Sequence, residues 1–208
     1  MRTWKKDFKY LFYTLFHPFD GFFEIKFRGK GNMTLATALL VLYGLLSIFT
    51  TQYTGFIFNH FPVHSMRSIQ LFMLAIVPIL LFIVSNWSTT SLMNGSGTIK
   101  DIWIMTCYSL VPLILFDLMT TLLSNIIILE EAPILTAFRY IGVVWFCYLI
   151  FCGLCTIHEY TAGRNILTLF VTLAAAIIII FLVILYFTLM DTVISFVETI
   201  ATEISKRW

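Results

Sequence analysis

The chain has 208 residues, of which 60% are hydrophobic and 12% charged, with a formal net charge of +2. Soluble globular domains contain about 45–50% apolar and about 25% charged residues, so this composition excludes a protein whose surface is covered by water. The lipid bilayer is therefore the expected surroundings, and we expect no nucleic-acid partner.

The first segment of the chain has the pattern of an amphipathic helix. Within the segment 3–16, aromatic and aliphatic residues recur at spacings of three and four, and the lysines lie on the other side of the helix. This pattern is typical of a helix in the membrane surface, where lysine is attracted to anionic headgroups. The alternative is an ordinary helix packed on a protein partner. The expected membrane-surface anchor consists of Trp4, Lys5, Lys6, Phe8, Lys9 and Phe12.

A turn at 17–21 is expected to end this helix, since Pro18 removes a backbone donor and Gly21 permits a tight turn. The basic and aromatic residues 22–30 are expected to remain on the membrane surface. Residues 1–32 then form a cytoplasmic interfacial segment.

Five apolar blocks follow, and each reaches the roughly 20 residues that are needed to cross a bilayer core. Spanning segments must satisfy their own backbone groups, so the blocks are predicted as helices. The fold class is therefore all-α, a five-transmembrane-helix bundle over residues 33–190. Pro112 is expected to kink the third block. The predicted spans are 33–53, 68–87, 102–128, 134–157 and 166–190.

Residues 191–208 form a second amphipathic segment. Its apolar face contains Val193, Phe196, Val197, Ile200 and Ile204, with acidic residues away from that face. Two arrangements are open: the segment continues the fifth helix, or it lies along the opposite membrane surface.

The distribution of basic residues predicts the orientation. Seven of the 13 Lys and Arg residues lie before residue 33, and Lys100 and Arg164 would lie on the same side of the membrane as these seven. The positive-inside rule then predicts a multi-pass protein of the cell membrane with a cytoplasmic N-terminus and, after five crossings, a C-terminus outside.

Two connections would then face the cytoplasm. Residues 88–100 are rich in Gly, Ser and Thr, which break helices and form turns. The second connection lies at 158–165. The expected cytoplasmic contact surface for a partner consists of Asn94, Gly95, Gly97, Lys100, Asp101, His158, Glu159 and Arg164.

Asp117 is the only acidic residue well inside a predicted span. A carboxylate in the membrane interior is costly and must be paired, protonated or solvated. One hypothesis is an intramembrane polar site for a proton or cation, with Tyr108 beside the same path. The other is a protonated carboxyl group that bonds across the bundle, with Ser109 and Thr120 as candidate partners.

No catalytic or metal-binding site is predicted. Cys152, Cys155 and His158 give three candidate ligands with no obvious fourth, and no residue spacing offers a nucleophile with a base. The turn at 95–97 lacks the Gly-Lys-Ser/Thr ending of a phosphate-binding loop. We therefore expect no enzyme activity, no cofactor and no metal.

Three motifs carry a resemblance to a known family. They are W-x-x-T-x-L-M-N-G-x-G-T-x-K-D-I at 87–102, Y-S-L-V-P at 108–112 and H-E-Y at 158–160. With the short connection between the third and fourth helices, the chain resembles bacterial members of the Yip1-domain family over residues 16–205. The resemblance implies a five-helix integral membrane bundle with a cytoplasmic N-terminus and without catalytic residues. It also implies association with transport systems, including sugar-importing ABC transporters.

The leading functional hypothesis is a non-enzymatic membrane protein that acts by binding other membrane proteins, as an accessory subunit of a transporter. A homo-oligomer is compatible with this hypothesis. The alternatives are a self-contained transporter or channel that uses Asp117, and a membrane-shaping or trafficking protein whose two amphipathic helices insert into opposite leaflets.

Overall fold

The computed structural model describes residues 4–58 and 67–207, except the side chains of residues 4–6 and 207. All regular structure in these ranges is helical. The α-helices are α1 (Trp4–Phe16), α2 (Pro18–Arg28), α3 (Met33–Tyr53), α4 (Ser68–Leu92), α5 (Ile99–Ser109), α6 (Val111–Leu123), α7 (Ala132–His158) and α8 (Ala162–Arg207). A 3₁₀ turn, Leu129–Glu131, precedes α7.

Five helical units are long and apolar enough to cross a membrane. The prediction of an all-helical fold with five spanning helices is therefore confirmed. The units are Met33–Tyr53, Ser68–Leu92, Ile99–Leu123, Leu129–His158 and Ala162–Lys206.

The third spanning unit is divided into α5 and α6 at Leu110, two residues before the expected kink at Pro112. Pro112 stands in the first turn of α6, where a missing backbone N–H leaves no helical bond unmade. The break therefore precedes the proline, and α6 begins at Val111, one residue before Pro112.

Helix α5 is the innermost element of the bundle. Seven of the eight residues from Ile102 to Ser109 are buried, and Met105 and Tyr108 are almost completely enclosed. Helices α3, α4, α2 and α7 pack around it, α6 packs on α3 and α7, and α8 packs mainly on α4.

Helix α2 differs from the sequence-based expectation that residues 22–30 remain on the membrane surface. Phe22 and Ile25 are buried against α5 and α7, while Phe23 and Phe27 are exposed. Because these aromatic and aliphatic residues occupy both sides of the helix, one side enters the protein core and only the other faces outward.

Helix α8 continues through the C-terminal segment without a break. At 46 residues it is about 69 Å long. Its last buried residue is Thr172, and from residue 181 to 206 every side chain is exposed. Of the two arrangements open from the sequence, the structure has the segment as a continuation of the fifth spanning helix.

The bundle has two distinct ends. One end, called the hairpin end below, is where the segment after α3 meets the segment after α6. There the Gly55 amide donates to Ser124 Oγ over 2.9 Å, and the Asn125 side chain donates to the Tyr53 carbonyl. At the opposite end, called the Gly-turn end below, the α4–α5 connection at 93–98 meets the α7–α8 connection at 159–161.

Candidate functional site

The α4–α5 connection is a defined turn that its own side chains fix. Asn94 has a left-handed backbone with φ 53°, a conformation that asparagine tolerates better than most residues. Thr98 caps α5 by accepting a hydrogen bond from the Asp101 amide, and the Asp101 carboxylate accepts one from the Thr98 amide over 3.1 Å. This reciprocal capping box satisfies two backbone donors at the start of the helix.

The α7–α8 connection is similarly tight. Glu159 ends α7 in a left-handed conformation with φ 57°, and the Tyr160 amide donates to the Cys155 carbonyl over 3.0 Å. A glutamate in this backbone conformation is uncommon and costs free energy, so the surrounding contacts must hold it there.

Glycine lets the two connections lie in direct contact. A Cβ atom on Gly95 would lie 2.7 Å from His158 Nδ1, and a Cβ atom on Gly97 would lie 2.5 Å from Ile157 Cγ2. Such distances are shorter than van der Waals contact, so no larger residue fits without movement of the neighbouring helix. We call this contact region, with the side chains of Lys26, His158 and Arg164, the Gly-turn junction.

Aromatic and cationic side chains close one side of the Gly-turn junction. The Tyr160 ring stacks on His158 with centroids 5.3 Å apart, and the Arg164 guanidinium lies 4.6 Å from the Tyr160 centroid. The Tyr160 hydroxyl and the Arg164 guanidinium both donate to the Met93 carbonyl. The carbonyl at the end of α4 is thereby satisfied by groups from α8 and the turn before it.

Lys26 joins helix α2 to both connections. Its Nζ atom lies 2.5 Å from Glu159 Oε1 and 2.5 Å from Ser96 Oγ. The Lys26 side chain is only 10% exposed, whereas that of Glu159 is 57% exposed. Hydrogen bonding and charge attraction from Lys26, with a further hydrogen bond from Ser96, lower the pKa of Glu159.

A buried polar chain runs inward from the Gly-turn junction. His158 Nε2 lies 3.3 Å from Asn86 Oδ1, and the Asn86 side-chain amide donates to Thr172 Oγ1 over 3.3 Å. All three side chains are buried among α4, α7 and α8. Polar links between spanning helices hold the helices in register when other partners are scarce.

The predicted contact residues do meet at this end of the protein, but they are not equally accessible. Asn94, Lys100, Glu159 and Arg164 are exposed, while His158 is buried. Gly95 and Gly97 are half-buried in the contact between the connections, and Asp101 is engaged in the helix cap.

Lys26 and Ser96 belong to the Gly-turn junction and were absent from the predicted set. Lys26 was only one basic residue among seven in the N-terminal region, and its partner Glu159 is 133 positions away. No local spacing could have connected them.

The two residues of the predicted intramembrane polar site have separate partners. Asp117 Oδ1 lies 3.8 Å from Arg139 Nε across the α6–α7 pair. The Tyr108 hydroxyl accepts a hydrogen bond from the Asn32 amide at the start of α3. The two candidate partners suggested for Asp117 bond instead to the backbone: Ser109 donates to the Met105 carbonyl, and Thr120 to the Phe116 carbonyl.

The predicted membrane-surface anchor is described in part. Phe8, Lys9 and Phe12 are exposed on α1, while Leu11 and Leu15 are buried against the bundle. The side chains of Trp4, Lys5 and Lys6 lie outside the described residues. For residues 4–58 and 67–207, no group of three or more His, Cys, Asp or Glu side chains could hold a metal ion.

Comparison with known protein families gives a match. The family model described as the Yip1 domain matches residues 12–185, which includes both connections of the Gly-turn junction. No curated protein and no solved structure matches the chain significantly.

Proposed function

The chain belongs to the Yip1 domain family and is a multi-pass membrane protein, and from this premise we propose that it acts without catalysis, by binding other membrane proteins. The partner we propose is a transporter, such as a sugar-importing ABC system, of which this chain is an accessory subunit. The Gly-turn junction supplies the contact surface.

The observation that supports this proposal is a set of exposed polar side chains on a rigid base. Asn94 and Glu159 lie on the two connections, and Lys100 and Arg164 lie in the first turns of α5 and α8 that follow them. Close contacts at the glycines and the bonds of Lys26 hold the two connections together. A surface that is ordered before binding loses little conformational entropy when a partner docks, which favours protein recognition.

We also propose that the Gly-turn end faces the cytoplasm. Lys9, Lys26, Arg28, Lys30, Lys100 and Arg164 lie on elements at or next to that end. Arg67, Arg139 and Lys206 belong to segments nearer the hairpin end or beyond it. This asymmetry has the sign of the positive-inside rule. The proposed partner contact would therefore involve the cytoplasmic side of a transporter.

Affinity purification of the tagged full-length chain from its native membranes tests the proposal. We expect transporter subunits in stoichiometric amounts with the wild type, and their loss with Lys100→Glu. Lys206→Glu, at the far end of α8, is the matched control and should retain them. Purification without any transporter subunit, or equal recovery with both variants, would contradict the proposed contact surface.

A self-contained transporter or channel is the second candidate function. The Asp117–Arg139 ion pair favours it, because charged side chains inside spanning helices commonly mark transport paths. Under this hypothesis Asp117→Asn abolishes solute flux in proteoliposomes. Under the accessory-subunit proposal, the same variant still recovers the partner.

A further inference from the structure

Helices α1 and α2 form an antiparallel pair beside the spanning bundle. The Tyr10 hydroxyl of α1 donates to the Gly21 carbonyl of α2. A Cβ atom on Gly21 would lie 2.7 Å from Thr14 Cγ2, so glycine lets the two helices approach closely at this point. The chain reverses direction at His17 and Pro18, and we call these two residues the tip of the α1–α2 pair.

Both outer ends of the α1–α2 pair lie at the Gly-turn end of the bundle. Helix α3 finishes at the hairpin end, so its first cap residue, Asn32, lies at the opposite one. The Asn32 side chain donates to the Asp7 carboxylate of α1 over 2.7 Å. On the other helix of the pair, Lys26 contacts Glu159 and Ser96. The chain therefore enters and leaves the pair on the same side of the protein.

The tip of the pair lies halfway along α7. The Trp145 side chain donates to the Leu15 carbonyl over 3.4 Å, and its ring meets the edge of Phe16 with centroids 5.6 Å apart. Trp145 is the middle residue of α7, about 20 Å from either end. Helix α2 then returns along α7, where a Cβ atom on Gly153 would lie 3.2 Å from the Phe22 ring.

This course distinguishes the pair from a helix that lies in the membrane surface. A helix in the surface plane meets a spanning helix at one level only. The α1–α2 pair instead contacts α7 and the residue after it at three successive levels, Trp145, Gly153 and Glu159, over a length of about 20 Å. Because α7 is long and apolar enough to span, a pair that follows half of it reaches the middle of the bilayer.

The distribution of charge in the sequence fits this depth. Within the stretch 10–23, Asp20 is the only residue of the Asp, Glu, Lys and Arg types. An apolar stretch of this length is too short to cross a membrane and is typical of re-entrant segments. Basic residues, which favour the headgroup region, flank it on both sides. They are Lys5, Lys6 and Lys9 before the stretch, and Lys26, Arg28 and Lys30 after it.

The position of Asp20 reduces the cost of its charge near the tip. It lies in the first turn of α2. The backbone N–H groups of a first turn have no helical partner, and the positive end of the helix dipole lies there. Both favour an acidic side chain and offset part of the cost of a carboxylate in lipid.

The outward side of each helix of the pair carries a stripe of phenylalanines at intervals of four residues, which places the three members of a stripe on one side of their helix. Each of these rings is 39–67% exposed, and the residues are Phe8, Phe12 and Phe16 on α1 and Phe19, Phe23 and Phe27 on α2. Tyr140, Val144 and Tyr148, next to Trp145 on α7, are exposed as well. The stripes therefore continue the outward-facing apolar surface of a spanning helix.

We propose that the α1–α2 pair is a re-entrant element. It enters the leaflet on the side of the Gly-turn end, its tip reaches the middle of the bilayer, and its phenylalanine stripes contact the acyl chains of that leaflet. The protein then presents seven helices to the lipid of one leaflet and five to that of the other, since α1 and α2 add to the five spanning units.

Depth-dependent fluorescence quenching in proteoliposomes tests this arrangement. Cys147 and Cys155, the two cysteines that are not buried, are first replaced by serine. A bimane fluorophore is then attached to the thiol of Phe19→Cys, next to the tip, or of Phe27→Cys, at the outer end of α2. Both phenylalanines are about half exposed, so we expect each labelled variant to keep the wild-type melting temperature.

Two further labelled variants supply the depth scale. Val144→Cys is at an exposed position in the middle of α7, and Lys100→Cys is exposed at the Gly-turn end. Phosphatidylcholines that are brominated near the end or near the beginning of the acyl chain serve as the deep and the shallow quencher. For Phe19→Cys and Val144→Cys we expect about twofold stronger quenching by the deep bromines, because the centre of the hydrocarbon core is about 15 Å from its surface. The shallow bromines should quench Phe27→Cys more strongly.

The other outcomes overturn the proposal. If the ratio of deep to shallow quenching for Phe19→Cys equals that for Lys100→Cys, the pair lies in the membrane surface. If neither lipid quenches Phe19→Cys while Val144→Cys responds, the phenylalanine stripe does not contact acyl chains. Reaction of the unlabelled Phe19→Cys thiol with a water-soluble maleimide would then identify water, and absence of reaction a protein, as what covers it.

Discussion

Lys26 and Glu159 are 133 positions apart in sequence, yet their side chains lie 2.5 Å apart. Ser96 shares the same ammonium group, so one lysine of α2 contacts both connections of the Gly-turn junction. The N-terminal helices are therefore tied to the spanning bundle by a specific polar contact as well as by the buried face of α2.

The Lys26–Glu159 pair predicts a pH dependence of stability. Because Lys26 lowers the pKa of Glu159, the folded state favours the carboxylate more than the unfolded state does. The resulting stabilisation is complete above the ordinary glutamate pKa and is lost as the pH falls through the lowered value. We expect the wild-type melting temperature in detergent to fall as the pH drops below the ordinary glutamate pKa of about 4.3.

In the same titration, Glu159→Gln should have a lower melting temperature than the wild type at neutral pH and a weaker dependence on acid. Glu24→Gln is the control, since Glu24 is held by Lys30 and Arg28 and its pKa is also lowered. It should leave the Glu159 contribution intact. An unchanged acid dependence in Glu159→Gln would contradict the role assigned to the pair.

Gly97→Ala is expected to loosen the Gly-turn junction. The added Cβ atom would lie 2.5 Å from Ile157 Cγ2, on a β-branched side chain that cannot rotate away easily. Overpacking of this kind costs about 1–3 kcal/mol. Gly163→Ala is the matched control: no atom lies within 4 Å of its Cβ position, and alanine favours the helix. Chemical denaturation in mixed micelles should give a lower free energy of unfolding for Gly97→Ala than for Gly163→Ala.

Asp101→Ala is expected to destabilise the chain by about 0.5–1 kcal/mol through loss of the capping box with Thr98. The neighbouring Lys100→Ala should change the free energy of unfolding by less than about 0.5 kcal/mol, as is usual for exposed residues. Thermal unfolding of both variants would establish whether Asp101 supports the fold. Equal values for the two would rule out the capping role.

Arg139→Gln should cost more stability than Asp117→Asn. Removal of the guanidinium leaves a largely buried carboxylate without its counterion, whereas Asp117→Asn removes the charge that needs compensation. We expect a loss of about 1–3 kcal/mol for Arg139→Gln and partial recovery in the double variant. The three unfolding free energies form a double-mutant cycle. A larger loss for Asp117→Asn would show that the carboxylate has another partner.

The spanning helices could be predicted from the sequence because membrane insertion imposes a simple rule on length and composition. The predicted span 33–53 coincides with α3, Met33–Tyr53, and α7 differs from its predicted range by two residues at the start and one at the end. The break at Leu110 was placed two residues late, since Pro112 indicates where a helix can begin rather than where the preceding one stops.

The candidate site was less predictable because its contacts join distant segments. Turn composition indicated the connection at 93–98, but no pattern in the chain indicated that Gly95 would contact His158. The burial of His158 likewise depends on Asn86 in another helix. Helical periodicity could not assign the two sides of α2 either, because apolar residues occupy both.

Because α8 is one continuous helix that is long enough to cross the membrane, a tilt at one of its ends moves the other end. One end is held beside the Gly-turn junction, where Arg164 bonds to the Met93 carbonyl, and the other end is free of the bundle. For a rod of about 69 Å, a tilt of about 5° at the held end moves the other end by about 6 Å. Docking of a partner on one side of the bilayer would thus displace the C-terminal end of α8 on the other side.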